Sequence, residues 1–349
     1  MSSALARELV LSYGWNSTSY QILNPGINHW FSPTMRAVVG YIRKGNVFNV
    51  AGAPVCHPHF LPAVCAEFEA AADRQRCRVC YVCAEDRLHD LFATSANHAA
   101  IVIGAQPVWN PQTWHYIIQR QASLRAQLNR SRNKGVIIET ISPDQMVSHR
   151  GVRRVLREWI ASRRLPPLSF LVEPDVLDGV MQDRVSLVAM RHGNPIAFLV
   201  ASPVVAKNGY LIELLARSPY APNGVSELLI NAAMRLFASE NCSYITLGLV
   251  ALATAARREM HLNPIWLRAA MNFARAHANR FYNFRGLEQF RLKMLPDRWE
   301  TIYAISNERS FSPRTLYSMG ASFSSISPWL AIGIGLAKAI QRELLVAFR

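Results

Sequence analysis

Apolar residues recur along this chain in two rhythms, one of period two and one of helical spacing, and the two alternate. Ala37 to Arg43 alternates toward the turn Lys44-Gly45-Asn46, Val47 to Val50 follows, and Tyr20 to Leu23 precedes the turn Asn24-Pro25-Gly26. Together they predict a strand meander. From Pro58 to Gln75, Phe60, Leu61, Val64, Cys65 and Phe68 fall at helical spacing, and an alternating strand from Arg76 to Cys83 comes next. The same order then returns. Val185 to Met190, His192-Gly193-Asn194 and Pro195 to Ala201 predict a hairpin, Tyr210 to Leu215 a further strand, Ser226 to Glu240 a helix and Tyr244 to Leu247 its following strand. The pattern predicts an α/β (α+β) chain of two units, each with a mixed sheet flanked by helices, which agrees with 349 residues at about 150 per domain.

Between the units, Gln119 to Lys134 places Leu124 and Leu128 on one helical face and leaves Arg125, Arg130, Arg132 and Lys134 for solvent or a ligand. Lys134-Gly135 ends that helix before an apolar strand, Val136 to Ile138. A second basic helix, Val152 to Arg164, carries Arg153, Arg154, Arg157, Arg163 and Arg164 and stops at Pro166-Pro167.

Charge sharpens this picture. The chain has 38 Lys and Arg against 23 Asp and Glu, a net +15 that implies an anionic partner. Arg120 to Arg164 alone holds eleven basic and three acidic residues, and Arg257 to Arg298 nine and three, so the rest is nearly neutral. Solvated helix faces would explain either run alone. If they bind RNA, these side chains contact phosphate rather than bases, and binding falls steeply with salt.

Cys56, Cys65, Cys77, Cys80, Cys83 and Cys242 do not suggest a secreted disulfide scaffold in so long a chain. The Cys77, Cys80, Cys83 spacing invites a metal reading, with His57 and His59 nearby. Alternation instead puts Cys77, Val79, Tyr81 and Cys83 on one face of a buried strand and drives Cys80 away from the other thiols, so no metal is expected. Reduced thiols fit the cytoplasm. No signal peptide is visible at the N-terminus, and no run of 18 apolar residues occurs. The tail from Trp329 mixes Leu and Ile with Lys338, Arg342 and Glu343. It reads as an amphipathic helix for a membrane interface, or as one packed on protein or on a second subunit.

Three stretches resemble one family. Ser123 to Gly135 is similar to a basic helix of the form LR-x-x-LNR with a charged turn. LIELLARSPYAPNGVSELL, beginning at Leu211, is similar to a strand ending in an acidic residue, a downstream Arg and an Ala-Pro-Asn-Gly turn opening a helix. FYNFRGLEQFRLKMLPDRWETIY, Phe281 to Tyr303, resembles the hallmark Tyr-Asn-Phe-x-Gly-Leu-x-x-Phe-x-x-Lys-Phe with a following Trp-Glu, Met294 replacing the usual Phe. These resemble the soluble catalytic domain of phosphatidylglycerol lysyltransferases, the lysyl-phosphatidylglycerol synthase C-terminal family. The resemblance implies two tandem lobes of the GCN5-related acyltransferase (GNAT) type, residues 1–140 and a catalytic 141–305, with 306–349 as a tail. It implies an aminoacyltransferase that takes an aminoacyl group from aminoacyl-tRNA to a hydroxyl of an anionic, phosphatidylglycerol-like membrane lipid. No cofactor is implied beyond the charged tRNA, and the location implied is peripheral, at the cytoplasmic face of the membrane. The family's large membrane-embedded N-terminal region is not seen, so access to lipid is expected through the surface of the soluble fold.

Such a transfer needs groups for an ammonium, for tRNA phosphates, for the ester carbonyl and for the acceptor. Glu213 stands in the otherwise apolar run Leu211-Ile212-Glu213-Leu214-Leu215, where a carboxylate is costly unless paired or functional. It is a candidate for facing an ammonium or acting as general base. The plainer alternative is a solvent-facing residue of an edge strand. Arg217 is placed to pair with it or to hold a phosphate. Asn223-Gly224 opens the Ser226 helix and offers backbone N–H groups to an anion, or is simply a helix start. Tyr282, Asn283 and Arg291 are candidate substrate-binding groups, with packing and capping as the alternative for the first two. Lys293 is the candidate donor to a tRNA phosphate or the reacting ester, with a surface salt bridge as the alternative. Arg125, Arg130, Arg132, Lys134 and Arg154 are candidate phosphate contacts. No P-loop, dinucleotide fingerprint or Gly-x-Ser-x-Gly elbow is present. Two rival readings remain: the same fold using an acyl thioester donor, and an inactive lipid- or RNA-binding module. Pro222-Asn223-Gly224-Val225 stands where a coenzyme A pyrophosphate loop would be, which disfavours coenzyme A itself.

Overall fold

A computed structural model describes residues 2–163, 170–171, 176–277 and 284–323. Tyr282, Asn283 and the tail from Trp329 lie outside them. The strands are β1 (Asn28–Phe31), β2 (Ala37–Lys44), β3 (Val47–Ala51), β4 (Val55–Cys56), β5 (Arg78–Ala84), β6 (Ala99–Trp109), β7 (Ile137–Ile141), β8 (Val185–Arg191), β9 (Asn194–Val204), β10 (Gly209–Arg217), β11 (Tyr244–Thr246), β12 (Val250–Ala251) and β13 (Arg298–Ser306). The helices are α1 (Ser2–Tyr13), α2 (Leu61–Asp73), α3 (Asp86–Phe92), α4 (Trp114–Arg120), α5 (Ala122–Asn133), α6 (Pro143–Ser148), α7 (Arg150–Ala161), α8 (Val225–Ser239), α9 (Arg257–Met260), α10 (Ile265–His277), α11 (Phe284–Leu292) and α12 (Pro313–Ser322).

The strands join one mixed, mostly antiparallel sheet in the order β1-β2-β3-β5-β13-β6-β11-β10-β9-β8-β7, with β4 on β2 and β12 on β6, flanked by helices as the sequence predicts. Among the described residues two neighbouring pairs are parallel, β3 with β5 and β10 with β11. Helix α2 bridges the first pair and α8 the second, the right length of crossover for a parallel connection. β6, eleven residues long, and β13 cross-pair over nine positions at the centre. β13 also pairs with β5, so a strand late in the chain completes the sheet formed by the early ones.

The predicted hairpin forms with Arg191 opposite Asn194, and His192 and Gly193 both take positive φ, the twist that a two-residue hairpin turn requires. Gly135 (φ +75°) terminates α5, and its N–H donates to Arg132 O at 2.9 Å. Tyr20 to Leu23 is corrected: Ser19–Leu23 is a 3-10 turn with every residue buried, so no face-by-face alternation operates. Its polar approach is held locally, Thr18 N donating to Asn16 Oδ1 at 3.0 Å. The one-face reading of the cysteine strand is corrected too. Cys77, Val79 and Tyr81 enter one core, but Cys83 turns into the other with Cys80 and Val82. The cause is a bulge: Tyr303 faces Ala84 and Ala304 faces Val82, leaving Cys83 unpaired at φ +63°.

In the later half, Leu187, Ala189, Ala197, Leu199 and Ile212 pack against α8 and α5 on one side of the sheet. Val188, Phe198, Val200, Leu214 and Ala216 pack against α7 on the other. The basic stretch Arg120 to Arg164 is therefore divided by the sheet, α5 lying on one face and α7 on the opposite one.

Candidate active site

β10 and β11 pair only from Gly209↔Tyr244 to Leu211↔Thr246. β10 then carries a bulge between Ile212 and Leu214, and the chain after β11 turns away at Gly248 (φ +69°). The gap is a cavity of about 480 Å³. Its walls are mostly apolar, including Leu211, Leu214, Leu249, Leu287 and Phe290, with Trp159 from α7. Its polar lining comes from the early segment Ser17, Thr18 and Gln21 and from Gln106, Glu213, Arg163 and Arg291. An apolar pocket with a few convergent polar groups is the usual build of a small-molecule site.

Glu213 is the bulged residue of β10. The solvent-facing alternative is overturned: β11 no longer pairs with β10 at this position, yet the Glu213 side chain is 0 % exposed. Its partner is Arg184, also 0 % exposed, rather than Arg217. Arg184 reaches Glu213 through Nε and Nη2, donates from Nη2 to Asn24 Oδ1 at 2.5 Å, and lies 4.9 Å from the Tyr20 ring centroid. Next to it, Asp183 accepts from Arg7 Nε at 2.7 Å and from the Tyr20 hydroxyl at 2.8 Å. Burial disfavours the Asp183 carboxylate, yet these bonds outweigh it and hold its pKa below the usual range. Burial, with the bond to Asp183, pushes the Tyr20 phenol well up.

Gln21 was not singled out by the sequence and is the residue best placed to meet a ligand. Its Nε2 donates to Leu171 O at 3.3 Å and to Glu213 Oε2 at 3.4 Å, which fixes the amide. Its Oε1 is buried and has no hydrogen-bond partner, in a side chain that lines the cavity. A buried carbonyl oxygen left unmatched is a costly feature that an incoming N–H donor would relieve. No one-dimensional signal marks it, because its partners are 150 and 192 residues away.

A second polar network closes the far wall. Ser17 Oγ donates to Gln106 Oε1 at 3.0 Å, and Gln106 Nε2 donates to Glu85, the Tyr244 hydroxyl and Glu300 at 3.2, 3.0 and 3.1 Å. Lys207 Nζ donates to Glu85 Oε2 at 2.6 Å and to Glu300 Oε2 at 3.2 Å. Burial works against the Glu300 carboxylate, but Lys207, Arg298 and Gln106 prevail and lower its pKa. These residues come from the α1–β1 connection, β5–α3, β6, the β9–β10 connection, β11 and β13, so the network ties the two halves of the sheet behind the cavity.

The other predicted residues are dispersed. Arg291, on α11, lines the cavity and donates to Gly248 O at 3.0 Å and Leu247 O at 2.6 Å, holding the strand end that forms the wall. Lys293 is not among the residues lining the cavity and makes a 3.1 Å ion pair with Glu227 of α8, partly buried rather than on the surface. Arg217 ends β10 opposite Ala197 and is not among the residues lining the cavity. Asn223 is exposed, whereas Gly224 is buried. Gly224 (φ +95°) caps α8 with its Cα against α5: an added Cβ would lie 2.2 Å from Gln127 O, so this glycine serves close helix packing. Arg125, Arg130, Arg132 and Lys134 are exposed around α5, Arg125 Nη1 donating to Ile118 O at 2.9 Å. Arg154 is on the other face with α7, donating to Pro195 O at 3.0 Å, so it does not join the α5 group.

The chain is similar to known proteins over most of its length. The Lysylphosphatidylglycerol biosynthesis bifunctional protein LysX of Mycolicibacterium gilvum (strain PYR-GCK) is 20% identical over 290 residues, 81% of this chain. The chain spans about a quarter of that relative's length, 26%. The solved L-PGS of Bacillus licheniformis superposes with a TM-score of 0.74 at 20% identity, covering 92% of this chain and 96% of that one. The C-terminal domain of a putative lysylphosphatidylglycerol synthetase from Agrobacterium fabrum gives 0.73 at 19% identity, covering 93% and 97%. These likenesses establish a shared fold. The profile described as "Phosphatidylglycerol lysyltransferase, C-terminal" matches residues 7–306, and on that match the chain belongs to the phosphatidylglycerol lysyltransferase C-terminal family.

Proposed function

We propose that this chain transfers an aminoacyl group from aminoacyl-tRNA to a hydroxyl of phosphatidylglycerol or a similar anionic lipid, at the cytoplasmic face of a membrane. Family membership supports the reaction class. The observation that carries the reading is the cavity at the β10/β11 parting, mostly apolar in its walls and lined by Gln21, whose Oε1 is unmatched. An aminoacyl ester has the complementary form. Its ammonium donates to Gln21 Oε1, while apolar walls exclude water from the ester.

In the transfer, the lipid hydroxyl oxygen bonds to the ester carbonyl carbon, the bond from that carbon to the ribose oxygen breaks, and the hydroxyl proton passes to the departing ribose oxygen. Gln21 holds the donor in position. Glu213 acts through its bond to Gln21 and its pair with Arg184, as a positioning residue. Arg291 fixes the Leu247–Gly248 wall, and Lys293 braces α11 against α8. Arg125, Arg130, Arg132 and Lys134 on the exposed side of α5 take tRNA phosphates. The two-lobe division at about residue 140 belongs to the same reading, with the early segment Ser17–Gln21 supplying the later lobe's site.

The test incubates the protein with tRNA charged with labelled amino acids and phosphatidylglycerol vesicles and follows label into the organic phase. Transfer is expected without coenzyme A and in the presence of a chelator. Gln21→Leu is expected to lower kcat/KM about 10- to 100-fold, the worth of one hydrogen bond to a charged group. Absence of transfer from every charged tRNA, or transfer from an acyl thioester alone, would overturn the reading.

A further inference from the structure

The loop and first turn around α9 and α10 reverse the usual distribution of apolar side chains. In α10, Leu267 and Met271 face inward and pack on the core that contains Val38, Ile101 and Phe311. Ile265 and Trp266 face outward, 77% and 39% exposed, and Leu262 just before them is 85% exposed. Three bulky apolar side chains within five positions form a protruding cluster, unlike the single exposed Leu or Tyr residues common on a soluble surface. Arg257, Arg258 and His261 beside them are also exposed, and Arg268 is half-buried. Neither Arg257 nor Arg258 has an acidic partner among the described residues, and Glu259, half-buried, is the one acidic residue between Arg257 and Arg268.

An apolar edge with an indole and a collar of guanidinium groups has the composition of a segment that sits at the boundary of an anionic bilayer. The apolar tips enter the acyl region and the cations meet the headgroup phosphates. A second copy of the chain, itself +15, would bring like charge against this collar. The corner is also continuous with the cavity wall. Ala251 lines the cavity, and three residues on Thr254 Oγ1 donates to Glu288 Oε2 at 3.0 Å. Glu288 adjoins Leu287, another lining residue on α11. Leu267, beside Trp266, shares a core with the lining residues Leu249 and Ile302, so the corner packs on elements that form one wall of the site.

We propose that the α9–α10 corner, through Leu262, Ile265 and Trp266 with Arg257 and Arg258, docks this protein on an anionic lipid bilayer and brings the cavity to its surface. The inference rests on the lipid-acceptor reading for its purpose, while its test does not depend on turnover. The full chain is sedimented with vesicles of phosphatidylglycerol and phosphatidylcholine, and with phosphatidylcholine alone. Leu262→Ser/Ile265→Ser/Trp266→Ser is expected to reduce partitioning onto the anionic vesicles at least about tenfold, with an unchanged thermal transition because these side chains are exposed. Arg257→Gln/Arg258→Gln is expected to reduce it about fivefold per residue and to flatten its salt dependence. Bromine-labelled acyl chains are expected to quench a fluorescence component that Trp266→Phe removes.

Transfer to a water-soluble glycerophosphoglycerol acceptor is expected to survive the triple variant while transfer to vesicles falls with partitioning. Wild-type partitioning by the triple variant would overturn the proposal and assign docking to another segment. Lost self-association on light scattering, with vesicle binding unaltered, would overturn it in favour of a protein interface. Lost partitioning with no transfer to either acceptor in the wild type would leave docking standing and remove the proposed function instead.

Discussion

The sheet contains two parallel steps built alike, and one is shut where the other is open. β3 and β5 stay in register over five positions, Val47↔Arg78 to Ala51↔Val82, and Gly52 N continues the ladder to Val82 O at 2.7 Å. β10 and β11 keep three. Each step has a bulge facing the cavity, Cys83 in β5 and Glu213 in β10. The first carries a thiol that burial pushes up to about 12, a neutral group that costs little to enclose. The second carries a carboxylate that must be enclosed with its own counter-ion, Arg184, and the guanidinium in turn draws in Asn24, Tyr20 and, through Asp183, Arg7. A parallel pair can be closed with apolar atoms alone. Holding it open beside a buried ion pair is expensive, and such expense is concentrated at functional sites.

The largest break in this comparison is Arg184→Met. It leaves the Glu213 charge buried without a partner and is expected to cost about 3–5 kcal/mol in urea unfolding, most of which Arg184→Met/Glu213→Leu regains. The double variant is expected to fold while losing the orientation of Gln21, and with it the transfer activity. Gly209→Ala attacks the part of the second step that is closed. The added Cβ would stand 1.7 Å from Tyr244 O, a backbone atom, so a loss of about 2–3 kcal/mol is expected in thermal unfolding.

Asp183→Asn is expected to cost about 2 kcal/mol at neutral pH. Because the folded state holds the Asp183 pKa below its ordinary value, its contribution is complete above the ordinary carboxylate range and disappears as pH falls through the folded value. Wild type and variant should therefore converge in acid denaturation, and a gap that persisted would break the account of the Arg7–Asp183–Tyr20 cluster. The smallest effect is expected at the first bulge. Cys83→Ala should cost about 1 kcal/mol in urea unfolding, the loss of one small buried group.

Much of the fold was legible because its signals are local. Alternation located β2 and β5, apolar runs bounded by turn residues located β3, β8, β9 and β10, the His192-Gly193-Asn194 sequence marked the hairpin turn, and Leu124 and Leu128 oriented α5. Tyr20 to Leu23 was misread because a segment buried on all sides loses the alternation that distinguishes strands. β6 lacked a clean period for the same reason, being buried along most of its length between β13 and β11. Within the site, Glu213 was legible as a carboxylate in an apolar strand and Arg291 as part of a motif. Gln21 and Arg184 were not, since neither departs from its neighbours in any way that spacing reveals.

By itself the sequence determined which segments become strands and helices, that a carboxylate would have to be accommodated in β10, and that basic residues would crowd two stretches. These follow from side-chain periodicity and the solvation of charge, properties a residue carries wherever the chain goes. Tertiary structure decided which charges meet. It gave Glu213 to Arg184 and Lys293 to Glu227, divided α5 from α7 by a sheet, and left Gln21 Oε1 unmatched and Leu262, Ile265 and Trp266 in solvent. Such pairings depend on distances between residues far apart in the chain, and those distances exist only once β10 and β11 have parted.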